Sequence, residues 1–270
     1  MTSLTATFRT FLATHPHIAI VEVRSALGST PRDVGAWMLV SPTAIFGTIG
    51  GGQLEFMAID RAREMIAAST PVTDHLDVPL GPEIGQCCGG RVDIDIALID
   101  EELRTAIPKR IEWEEARSPH VYLFGGGHVG HALASALSLL PLHVVVVETR
   151  AEALNDMPDT IEKRLTAVPE DSVRDAPAGS AFVVLTHDHS LDFLIVAEAL
   201  KRTDIAYVGM IGSKTKKATF KNWYFREADG NETDFARLVS PIGGATVKDK
   251  RPAVIAAMAA AEMSAILFRS

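Results

Sequence analysis

Cysteine is nearly absent: the 270 residues hold two, adjacent at Cys87 and Cys88. That excludes the disulfide framework of a small secreted domain. Positive charge is also in deficit, with 26 Lys and Arg against 34 acids and a net charge of −8. A general grip on nucleic acid needs a broad basic face, which this balance does not supply. A small anionic ligand remains within reach of local Arg, Lys and backbone N–H groups. Long hydrophobic runs are missing as well. None approaches the ~20 apolar residues of a membrane span, and MTSLTATFRTFLATHP has no long apolar signal core. The expectation is a soluble, cytoplasmic protein that binds neither nucleic acid nor membrane. With 47% hydrophobic and 22% charged residues, the chain can bury one large core or two small ones.

What is present centres on VYLFGGGHVGHALASALSLLPLHVVVVETR, residues 121–150. An apolar run, Val121–Phe124, leads into Gly125, Gly126 and Gly127. With Gly130, the first and third of these have the spacing G-x-G-x-x-G, and His128 opens the following segment. Ala and Leu then recur at helical spacing until Pro141, and the β-branched run Val144–Val147 ends in an acid, Glu148. Strand, glycine turn, helix, strand and terminal acid make a nucleotide-binding βαβ unit. The first glycine permits the tight turn, the second lets a phosphate approach the backbone, and the third lets the helix pack on the strand. The helix N-terminus supplies free N–H groups and partial positive charge, and Glu148 could accept ribose hydroxyls. A turn serving only an α/β fold would look the same.

N-terminal to this unit, Leu4, Phe8, Phe11 and Leu12 mark one face of a helix. Ile18–Arg24 is predicted as a strand, and Trp37–Val40 with Ile45–Thr48 as a hairpin. Gly50, Gly51 and Gly52 precede a helix predicted over Gln53–Ala68. They are either an anion cradle or a tight strand-to-helix turn. Val72–Val78 and Val92–Leu98 are predicted as strands. Between them LGPEIGQCCGGR joins Gln86, Cys87, Cys88 and Arg91 in a glycine-rich loop. Vicinal thiols there can ligate a soft metal, carry a persulfide or form a strained redox pair. Alternatively, one thiol is buried and its neighbour incidental. The charge-rich 99–118 reads as a solvated helix or linker.

C-terminal to the unit, Thr166–Val168 is predicted as a short strand, and Ala181–Leu185 as a buried one that empties into His187, Asp188 and His189. Loops at strand carboxyl ends line the ligand crevice of a doubly wound sheet, so these three are candidates for ligand contact or proton transfer. Leu191–Leu200 is predicted as a helix capped by Ser190. Ala206–Ile211 is a further strand, followed by Gly212, Ser213 and Lys214, which suit a phosphate or simply a solvated helix start. Residues 220–234 read as polar loop, and Pro252–Phe268 as a packed helix. The expected fold class is α/β: an N-terminal α+β domain (1–108), a linker (109–118), and a Rossmann-like doubly wound parallel-sheet domain with a C-terminal helix (119–270).

Taken in order, GSTPRDVGAWMLV, GTIGGGQLE, GPEIGQCCGGR, LFGGGHVG, THDHSLD, VGMIGSKTK and SPIGG closely resemble the XdhC/CoxI family of xanthine dehydrogenase accessory proteins over almost the whole chain. Gln53 stands where the carbon-monoxide-dehydrogenase-like branch commonly has Cys, which favours the xanthine dehydrogenase branch. The acid at Glu148 is more often Asp. The resemblance implies an accessory chaperone rather than an enzyme. It implies binding of the molybdenum cofactor (molybdopterin), support of its sulfuration, and delivery to apo xanthine dehydrogenase. A cysteine desulfurase is an implied partner, and such chaperones are expected as homodimers. Cofactor contacts are expected from the two glycine turns, from Gln86, Arg91 and the strand-end loops, with Cys87 or Cys88 near molybdenum. The thiol pair and both glycine turns are expected to share one crevice. A nucleotide at the Rossmann turn is a further expectation. The rival readings are an NAD(P)-dependent oxidoreductase with His187 or His189 as proton donor, and an assembly scaffold with a vestigial pocket.

Overall fold

A computed structural model describes residues 4–70, 72–82, 89–244 and 246–269. The backbone divides into two compact units, Thr2–Trp113 and Glu114–Ser270.

The first unit contains α1 (Leu4–Thr14), β1 (Ala19–Leu27), β2 (Trp37–Val40), β3 (Ile45–Gly47), α2 (Gly52–Ala68), β4 (Thr73–Pro79), β5 (Arg91–Leu98) and α3 (Glu101–Ala116). The strands form an antiparallel sheet in the order β3-β2-β1-β5-β4. Alternation along β1 and β5 decides the faces. Val21, Val23, Ile94 and Ile96 turn to one side and pack with Leu54, Ala58 and Met65 of α2. On the other side Phe8, Phe11 and Leu12 of α1 join Leu39 and Ile107 and Ile111 of α3. The β2–β3 turn is closed by Ser41, whose Oγ accepts from the Ala44 amide at 2.9 Å. The expected linker is helical as far as Ala116, as the end of α3. The division between units falls inside that helix.

The second unit contains β6 (His120–Phe124), α4 (His128–Leu137), β7 (His143–Glu148), a 3-10 turn (Ala151–Leu154), β8 (Glu162–Leu165), α5 (Pro169–Arg174), β9 (Ala181–Val184), α6 (His189–Lys201), β10 (Tyr207–Met210), α7 (Lys214–Glu227), α8 (Glu232–Ala236), β11 (Leu238–Val239) and α9 (Pro252–Leu267). Its six strands are parallel, in the order β11-β10-β9-β6-β7-β8. The central strands are buried on both faces, which explains their unbroken apolar runs. One face packs Phe124, Val147, Phe182 and Met210 against α6 and α7. The other packs Leu123, Val146 and Val183 against α4 and α9. Chain direction across the sheet reverses between β6 and β9, whose ends pair at Phe124 and Val184. That switch point opens a crevice at the strand carboxyl ends.

Three local expectations are corrected. The strand expected at Thr166–Val168 is Glu162–Leu165 instead; as an exposed sheet edge it carries the charged sequence EKRL, so it has no apolar signature. Residues 220–234 are not loop. They belong mostly to α7 and α8, because Phe220, Tyr224 and Phe235 bury an aromatic face against β9 and α6. The cap of α6 is Asp188, not Ser190. Among the described residues no helix is long and apolar enough to cross a membrane.

Candidate functional site

The crevice is built on the β6–α4 turn. A Cβ on Gly125 would lie 2.5 Å from the Leu185 carbonyl oxygen, and φ there is +121°. A Cβ on Gly126 would lie 2.2 Å from the Ala153 carbonyl oxygen, and one on Gly130 2.1 Å from that of Gly125. The protein's own backbone therefore demands glycine at all three. Gly127 differs: a Cβ there meets nothing within 4 Å, and its backbone is ordinary extended chain. Gly127 caps α4 with no side-chain cap, and no acid sits in the first helical turn. The first N–H groups of the helix are thus left for an outside anion. The crevice around Gly127, of about 340 Å³, is also lined by His128, Arg150, Thr186, His187 and Pro252.

Glu148 closes the β7 side. It is 5% exposed, and its two oxygens face protein donors. Oε2 accepts from the Gly126 amide at 2.8 Å and Arg150 Nη2 at 3.2 Å. Oε1 accepts from the Thr149 amide at 2.8 Å and hydroxyl at 3.2 Å, and from the Arg150 amide at 3.2 Å and Nε at 3.3 Å. Burial pushes its pKa up, but the Arg150 guanidinium and the Gly126 and Thr149 amides outweigh this and bring it to about 2. A ribose hydroxyl reaching Glu148 would have to displace one of these donors.

At the end of β9, Asp188 caps α6 by accepting from the Ser190 amide at 2.7 Å and the Leu191 amide at 3.4 Å. His187 lines the crevice, whereas His189 is the exposed first residue of α6. Asp192, one turn on, is fully buried. It accepts from the Thr186 amide at 3.0 Å and hydroxyl at 2.7 Å, and forms an ion pair with Lys216. Both residues lie within the motifs THDHSLD and VGMIGSKTK, but sequence reasoning did not pair them. The available signal was a lone acid within the apolar stretch SLDFLIV.

At the end of β10, Ser213 caps α7 by accepting from the Lys216 amide. The Lys216 side chain folds back over Gly212, where a Cβ would lie 2.7 Å from its Cδ. Lys217 donates to the Leu238 carbonyl at 3.0 Å. Of the lysines in this segment, Lys214 is the exposed one.

In the N-terminal unit Gly50 abuts Pro31, with a hypothetical Cβ 2.6 Å from Pro31 Cβ. Glu55 folds back over the turn and accepts from the Ile49 amide at 3.0 Å, the Gly51 amide at 3.1 Å and the Thr48 hydroxyl at 2.5 Å. The turn of Gly50, Gly51 and Gly52 thus already faces a carboxylate of its own chain, with Gln53 exposed beside it. Arg91 pairs with Asp77 across β4 and β5. Together with the Leu80 amide, which donates to the Gly90 carbonyl, it ties the roots of the cysteine-bearing loop. Gln86, Cys87 and Cys88 lie outside the described residues. Among the described residues no group of three or more His, Cys, Asp or Glu could hold a metal ion.

Comparison with known proteins adds the following. Residues 121–263 match the family model of the XdhC Rossmann domain, and residues 12–77 match that of the XdhC and CoxI family. The uncharacterized protein YqeB of Escherichia coli (strain K12) is 24% identical over 233 residues, covering 83% of this chain and 39% of YqeB. The chain thus spans about two fifths of that relative's length. A Bacillus halodurans crystal structure, described as a xanthine dehydrogenase, superposes with a TM-score of 0.80 at 17% identity, covering 98% of this chain and 96% of that one. At that identity the likeness shows a shared fold.

Proposed function

Since the chain belongs to the XdhC family, we propose that it serves xanthine dehydrogenase maturation by holding the molybdenum cofactor and passing it to the apoenzyme. The observation that carries this reading is the open slot at Gly127, beside an α-helix start with neither acid nor side-chain cap. The donor set fits the phosphate of a pterin cofactor. Backbone N–H groups of α4 would take the oxygens, and Arg150 adds a fixed positive charge. When bound, the cofactor supplies the molybdenum-centred redox chemistry of the recipient enzyme. The residues here bind its anionic end and do no bond-making of their own.

We propose that Cys87 and Cys88 act as soft sulfur donors in maturation of the cofactor. A cysteine desulfurase supplies the sulfur, and the working form is a homodimer. Purification from cells that make the cofactor tests the central reading: pterin fluorescence and molybdenum should track protein concentration. Protein free of both, yet transferring hydride from NADH or NADPH to a carbonyl, would favour the oxidoreductase reading instead.

A further inference from the structure

We infer that Arg150 makes the crevice selective for a nucleotide phosphorylated at the ribose 2′-oxygen over one with a free 2′-hydroxyl. The group usually available to a ribose diol is the acid ending the second strand. Here that acid is Glu148, and both of its oxygens are engaged by Gly126, Thr149 and Arg150. Two residues on, Arg150 lays Nε and Nη2 against Glu148. One edge of the guanidinium is therefore pinned to a buried carboxylate. Its Nη1 makes no hydrogen bond to any described residue, and its side chain is 40% exposed on the crevice wall. The remaining edge, Nη1 with the second N–H of Nη2, is a preset fork for two phosphate oxygens. Glu148 is the sole acid among the described lining residues, and its charge is already matched by Arg150. Outside the lining, Glu152 also acts electrostatically on Arg150, but it is exposed, so solvent screens its repulsion of a ligand dianion.

This inference goes beyond cofactor carriage and rests on it in one respect, the phosphate placed over Gly127. A 2′-phosphonucleotide would occupy the same turn as the pterin phosphate and so compete with it. The test is calorimetric titration of the full chain with adenosine 2′,5′-bisphosphate and with adenosine 5′-monophosphate. The wild type should prefer the bisphosphate by roughly tenfold or more, the scale of one bidentate guanidinium–phosphate contact. Arg150→Ala should bring the two affinities within about twofold of each other, because it weakens the bisphosphate about tenfold more than the monophosphate, which loses only the general charge and keeps the helix N–H groups. Arg150→Lys, which keeps the charge without the fork, should retain part of the preference. Equal affinities in the wild type, a preference that survives Arg150→Ala, or no binding of either nucleotide would overturn the inference. Pterin content of the same preparations reports on cofactor carriage separately, so the two readings can fail independently.

Discussion

Gly127 and Gly130 belong to one motif but answer to different neighbours. At Gly130 the neighbour is the Gly125 carbonyl, 2.1 Å from where a Cβ would stand. Gly130→Ala must therefore push backbone against backbone, and we expect a loss of about 3 kcal/mol in chemical denaturation. At Gly127 there is open space, and the small gain in chain stiffness offsets a slightly poorer cap. Gly127→Ala should stay within about 1 kcal/mol of wild type in the same melts. Glu148 gives a prediction in pH. Its folded pKa, about 2, lies below that of an unfolded glutamate, so its contribution is complete above about pH 4.5 and is lost as pH falls toward 2. Glu148→Gln should then destabilise the fold by on the order of 3 kcal/mol at neutral pH and by far less near pH 2. Melting temperatures across that range check this; a pH-independent difference would show that the charge on Glu148 is not what holds the turn.

At the scale of elements, the ion pair of Asp192 and Lys216 joins α6, α7 and the end of β9, with the side chains 0% and 9% exposed respectively. Lys216→Met would strand a buried carboxylate, and we expect a cost of about 3–5 kcal/mol, measurable as a shifted urea midpoint. Legibility also divides at this scale. The unit of β6, α4 and β7 could be read directly because every cue is local: an apolar run, glycines at fixed offsets, a helical period and a closing acid. β8 could not, since an edge strand need not be apolar, and Glu162–Leu165 is charged at three of its four positions. α7 and α8 were hidden because lysines and Gly230 among the aromatics read as loop, although Phe220 and Tyr224 sit four apart on one buried face. Asp192 and Lys216 lie 24 residues apart, and no local pattern could pair them before the strand order was known.

At the scale of the whole molecule, a net charge of −8 coexists with a crevice whose anion-facing groups are backbone amides and one pinned guanidinium. Composition could exclude a general nucleic-acid surface but could not locate that crevice; motif order did. The N-terminal glycine turn, expected as a possible second anion cradle, instead wraps Glu55, a partner four residues along that a glycine motif alone does not reveal. For the thiol pair the account makes a functional prediction. Cys87→Ser with Cys88→Ser should leave pterin content near wild type but lower activation of apo xanthine dehydrogenase by roughly tenfold or more, because soft-donor chemistry is lost while phosphate contacts remain. Unchanged activation would remove the cysteines from the proposed role.

The central claim is that the cofactor's phosphate sits over Gly127. Its most direct test is the fluorescent pterin released per mole of protein, compared between wild type and Gly127→Ala purified from cofactor-producing cells at matched melting temperature. The account predicts near-stoichiometric pterin in the wild type and a drop of about tenfold in the variant, as the added methyl keeps phosphate from the backbone. Equal pterin in the two proteins would contradict it.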